Sequence, residues 1–143
     1  MMRRMARSAA VILAAGMLAG CENEAASYQI GGSREHAITL IREQRYFWSP
    51  ESDVALVVAN APECQRRHAL NRTPVENAPA KLFQTADDAF LLQNGQKWYA
   101  IATSVCEVRQ ADVPAGMVPG TPIGAFDRAG GRLRFIASAQ PKG

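Results

Sequence analysis

From Tyr28 onward the chain is a series of short apolar runs broken by turn residues. Tyr28 to Ile30 is a first short candidate strand, ended by Gly31-Gly32-Ser33. His36 to Trp48 fits two periods. Ile38 and Leu40 alternate with Thr39 and Ile41, whereas Ala37, Leu40, Ile41, Gln44 and Trp48 fall at helical spacing. Its β-branched and aromatic content favours a strand. After the turn cluster Ser49 to Asp53, the run Val54 to Ala59 is continuously apolar, as in a strand covered on both faces. Asn60-Ala61-Pro62 ends it, and Glu63 to His68 is a further short strand or loop. Asn71 to Ala80 holds two prolines and is expected to be an exposed loop. Lys81 to Thr85 opens the second half. Ala89 to Gln93 and Gln96 to Thr103 then flank Asn94-Gly95, the strongest short-range hairpin signal. Ser104 to Gln110 continues from there to a Pro/Gly-rich connection, Asp112 to Pro122. Ile123 to Phe126 and Arg132 to Ala137 flank a second turn, Asp127 to Gly131. The pattern predicts an all-β fold, a small antiparallel sandwich or barrel of about six to eight short strands behind a cleaved signal helix. A helix at 36–48 would make it α+β.

The first residues follow a different rule. Arg3, Arg4 and Arg7 precede an uncharged, mostly apolar stretch from Ala9 to Leu18. That stretch is shorter than the ~20 apolar residues a bilayer span requires, and the layout is that of a secretory signal peptide. Leu18-Ala19-Gly20-Cys21 follows at once and resembles the lipobox of bacterial lipoproteins. The resemblance implies a diacylglyceryl group on the Cys21 thiol, cleavage before Cys21 and acylation of the new amino group. Each buried methylene is worth ~0.8 kcal/mol, so two or more chains anchor stably. Under the enteric sorting rule that comes with this resemblance, aspartate after the cysteine retains the protein in the inner membrane. Glu22 stands there instead, which favours the outer membrane, facing the periplasm. The expected organisation is a signal peptide at 1–20, a lipidated tether at 21–27 and one β-rich domain at 28–143.

Charge and cysteines narrow the picture. The leader carries three arginines and no acid, which accounts for the whole net charge of +3. The remaining chain is balanced and offers no electrostatic case for nucleic acid as a partner. Cys64 and Cys106 are the other two cysteines. In an oxidising compartment such a pair is expected to form a disulfide. Closing that loop stabilises by about 4 kcal/mol in the chain-entropy model.

Candidate chemistry is sparse. No serine sits in a Gly-x-Ser-x-Gly elbow, and there are two histidines, His36 and His68. Cys64 and His68 lie four positions apart, a spacing that admits a thiol–histidine enzyme, although half a disulfide explains Cys64 better. His68 stands beside Arg66 and Arg67, which disfavour a cation, and two thiols fall short of a metal's ligand set. The expectation is no catalytic residues, no metal and no cofactor. Arg66, Arg67 and His68 with Arg72 form a local basic patch, for which a solvated loop is the plainer reading, and Tyr46-Phe47-Trp48 and Trp98-Tyr99 are aromatic clusters, for which core packing is the plainer reading. Arg66, Arg67, His68 and Trp48 are therefore the candidate partner contacts, since aromatics and arginine dominate binding hot spots.

Tyr46-Phe47-Trp48, Val54-Ala55-Leu56-Val57-Val58 and Cys64-Gln65-Arg66-Arg67-His68 together resemble small uncharacterised lipoproteins of proteobacteria. No activity comes with that resemblance. Lysozyme-inhibitor lipoproteins are similar in size, β content and cysteine pairing, an analogy of architecture alone. The expected function is a non-enzymatic, lipid-anchored envelope domain. It would be held to the membrane through Cys21 and would bind or support another envelope protein. The alternatives are an inhibitor of a cell-wall hydrolase that uses Asn71 to Ala80 as a plug, and a thiol enzyme at Cys64 and His68.

Overall fold

A computed structural model describes residues 23–75, 79–117 and 119–139. The leader and Cys21 lie outside the described residues. Eleven strands, all paired antiparallel, form two sheets among the described residues. The first sheet runs in the order β1 (Asn23–Gln29), β2 (His36–Glu43), β3 (Glu51–Asn60) and β4 (Cys64–Ala69). A two-residue β5 (Thr73–Pro74) pairs with the start of β3. The second is made from β6 (Ala80–Ala86), β7 (Ala89–Asn94), β8 (Lys97–Ala102), β9 (Glu107–Ala111), β10 (Thr121–Ala129) and β11 (Arg132–Ala137). Its spatial order is β11-β10-β6-β7-β8-β9. The molecule is an all-β sandwich rather than a closed barrel.

Alternation builds the core. Opposed residues of an antiparallel pair share a face, so the register Ala26–Leu40–Leu56 and Tyr28–Ile38–Val58 sends these side chains inward together. They meet Leu82, Phe90, Leu92, Ile101, Phe126 and Leu133 of the second sheet. Tyr28 bridges the sheets through its ring, 4.9 Å from Phe135 and 6.0 Å from Phe90 between centroids. The run at Val54–Ala59 behaves as its composition suggests: Val54, Leu56 and Val58 are buried inward, and Ala55 is buried on the other face.

Four local readings change. The helix alternative at 36–48 gives way to a strand that stops at Glu43, because the inward positions Ile38, Leu40 and Arg42 follow the period of two. Asn23 to Ser27, expected to be tether, belong to β1: Glu24, Ala26 and Tyr28 face inward and the strand pairs with β2 along its whole length. The eleven strands among the described residues exceed the six to eight expected. The Asn94-Gly95 hairpin is present but offset by one residue. Asn94 ends β7 and is buried, and Gly95, at φ 64°, takes the first central position, the placement a type II′ turn demands. The loop expected from Asn71 is tied down at its start. Thr73 is buried, and Asn71 is fixed by Tyr99 and Asn94.

The strand directions give the sandwich two distinct ends. One carries Asn23, the β2–β3 loop and, through the Glu24–Arg128 pair at 3.0 Å, the β10–β11 turn. The β7–β8 turn joins it through the Asn71–Asn94 bonds. The other carries the β3–β4 turn and the turn that leads into β9.

Candidate functional site

The two cysteines mark the second end. Cys64 opens β4 and Cys106 lies in the turn before β9, so their disulfide joins the sheets, with Cα atoms 6.0 Å apart. His68, on the same inward side of β4, places Nε2 2.8 Å from the carbonyl oxygen of Cys106. Asn60 Nδ2 donates across the same gap to the Ser104 carbonyl at 3.5 Å. The spacing of Cys64 and His68 thus has a structural outcome: both thiols are consumed by the bridge, and the imidazole braces the cross-linked turn.

The candidate contacts do not converge on one surface. Arg66 and His68 share the inward side of β4, where Arg66 is solvent-exposed at the sheet edge. Arg67 points outward and reaches Glu43 at 3.3 Å. Trp48 is on the β2–β3 loop at the opposite end from the disulfide.

That loop is the most distinctive exposed feature of the described residues. Phe47 and Trp48 are 66% and 67% exposed and Tyr46 is 50% exposed. The rings pack on one another instead of on the core. Tyr46 and Trp48 stack with centroids 5.0 Å apart, and Phe47 meets Trp48 edge-on at 4.7 Å. The backbone beneath them is held by its own hydrogen bonds. Gln44 Nε2 donates to the carbonyls of Phe47 (3.1 Å) and Ser49 (2.9 Å), and the Ser49 amide donates to the Tyr46 carbonyl (2.9 Å). Two charged contacts stand at the base: Asp53 accepts from Arg72 Nε at 2.7 Å and lies 3.4 Å from Arg45. All three side chains are more than a third exposed, so these pairs fix geometry more than they add stability.

Two polar features escaped the sequence reading. Arg42 is 5% exposed, with Nε and Nη2 lacking hydrogen-bond partners among the described residues. Burial, then the charge of Arg128, lowers its pKa, while Glu24 and Asp127 act in the opposite sense. Its signal was its place in the alternation, two residues after Leu40. The second feature is the Tyr99–Asn71–Asn94 network. The Tyr99 hydroxyl donates to Asn71 Oδ1 and accepts from the Asn71 amide, both at 2.9 Å, and Asn94 Nδ2 donates to Asn71 Oδ1 at 3.0 Å. An Asn directly before a turn glycine hinted at a role in the turn, not at an inward anchor.

Among the described residues no group of three or more His, Cys, Asp or Glu side chains is placed to hold a metal ion, and no helix is long and apolar enough to cross a membrane. No family model, no curated protein and no solved structure matches this chain.

Proposed function

We propose that this chain is a bacterial envelope lipoprotein: a β-sandwich fastened to the membrane through lipid on Cys21, facing the periplasm from the outer membrane. There it binds or supports another envelope protein without turnover of its own. The observation that carries this reading is the lipobox-like Leu18-Ala19-Gly20-Cys21 behind a basic, apolar leader, two residues ahead of the first strand. The Cys64–Cys106 disulfide supports an exported chain, since such bonds persist in oxidising compartments. It also ties up both thiols of the alternative Cys64–His68 enzyme.

The anchor is tested by mass spectrometry of the protein isolated from membranes of producing cells. The expected N-terminus is Cys21 carrying diacylglycerol, and Cys21→Ser should abolish both the modification and the cleavage. An unmodified Cys21 thiol in a chain cut elsewhere would refute the anchor. In-cell crosslinking followed by detergent extraction tests the supporting role: a discrete envelope protein is expected to co-purify.

A further inference from the structure

We infer that the Tyr46–Phe47–Trp48 loop seats in the lipid–water interface of the membrane that carries the anchor, and so fixes how the sandwich stands on the bilayer. The inference rests on the proposed acylation of Cys21. Asn23 follows Cys21 by two positions, with Glu22 alone between them, and that length of chain spans at most ~7 Å. Asn23 pairs with Glu43, and Gln44, the next residue, opens the aromatic loop. The lipid-bearing cysteine and the loop therefore leave the same end of one strand pair. With only Glu22 between Cys21 and the first strand residue, acyl chains in the bilayer bring that end to the membrane surface.

The loop has the chemistry that surface selects. Tyr and Trp combine a large apolar body with a polar tip and collect at headgroup level. Here three aromatic side chains are already assembled outside the core, on a backbone closed by Gln44 and Ser49. Little ordering is left to do on contact. The charges around the base, Glu43, Arg45, Glu51, Asp53, Arg67 and Arg72, include both signs and are cross-paired at Asp53 and Glu43. They suit the hydrated headgroup layer and give no preference for an acidic or basic protein partner. Affinity comes from the acyl chains. A single attachment point leaves the body free to swivel, and a second contact beside it removes that freedom.

The test uses the protein purified from membranes of producing cells and reconstituted with vesicles of phosphatidylethanolamine and phosphatidylglycerol. Some of the lipid carries a nitroxide near the headgroup. The N-terminal mass of the same preparation reports the anchor independently. Trp48 emission is isolated as the difference between the wild type and Trp48→Phe, which leaves Trp98 in both. The expected result is a blue shift and loss of the Trp48 component on mixing, abolished by Tyr46→Ser/Phe47→Ser. A lipidated chain whose Trp48 emission stays water-like and unquenched overturns the inference and leaves the anchor standing. An unlipidated chain that is still quenched supports the loop contact and removes the anchor; an unlipidated chain with no quenching removes both. Trp48 found crosslinked to an envelope protein and unquenched in vesicles also overturns the inference, in favour of a protein occupant.

Discussion

Arg42 shows how a strand can be both correctly paired and locally frustrated. It is sealed at an inward position with two unsatisfied nitrogen atoms, and an unmet buried donor costs roughly 1–3 kcal/mol. Replacing buried charge with an apolar side chain of similar volume is often neutral or stabilising. Glu24 keeps Arg128 as its partner in such a variant. Arg42→Met should therefore raise the thermal midpoint or leave it unchanged, as read by circular dichroism, while a clear loss of stability would show that the guanidinium has a structural role. This residue was only half legible. Period-two alternation from Ile38 and Leu40 points it inward, but hydropathy argues the reverse and assigns Ile41 to the core. The backbone period prevails because β2 is paired on both sides and cannot slip one residue without turning out Ile38 and Leu40.

At the scale of elements, β10 and β11 depend on Gly124. A Cβ there would collide with the carbonyl oxygen of Ile136 and the ring of Phe135, next to the register shift between Pro122 and Gly124. Gly124→Ala should destabilise by about 1–3 kcal/mol, the usual cost of overpacking, seen as a lower urea midpoint with unchanged slope. An unaltered midpoint would mean that the two strands separate easily at that point. β3 was legible from its unbroken apolar run, β7 from the turn signal that follows it, and β11 from the alternation of Leu133 and Phe135 with Arg132 and Arg134. β1 was legible only at its end: the strand expected at Tyr28 to Ile30 overlaps it at Tyr28 and Gln29, Ile30 turns off in a 3-10 turn, and the inward residues before Tyr28 are Glu24 and Ala26, neither a large apolar side chain. Its place comes from the ladder with β2 and the Tyr28 ring, both long-range features. β5 is two residues long and has no pattern to read.

For the whole molecule, the disulfide is the cross-link that sequence foretold most directly. It joins β4 to the turn before β9, positions 42 apart. Cys64→Ser/Cys106→Ser should lose about 4 kcal/mol in the chain-entropy model, measured by denaturant unfolding of the oxidised wild type and the variant. A loss below ~1 kcal/mol would mean that the packed sheets already restrain this region without it. Sandwich and barrel were not separable in the sequence, because both present the same alternating strands. What decides is whether the edge strands share a ladder. β1 lies against β11 through side chains such as Tyr28 and Phe135, without strand pairing. The candidate contacts were legible one by one, but their dispersal was not. Neighbouring Arg67 and His68 face opposite ways on one strand, and Trp48 lies at the far end.

The closeness of β1 to Cys21 carries a consequence in time. If Cys21 is acylated and the chain cut before it, as proposed, a processing enzyme that needs extended chain past that residue competes with the docking of β1, which begins at Asn23. For an acylated chain, β1 must stay undocked until processing is done. Its edge position permits that, since it pairs with β2 alone and closes no other ladder. Docking of β1 onto β2 would then be a late step, after the leader is released.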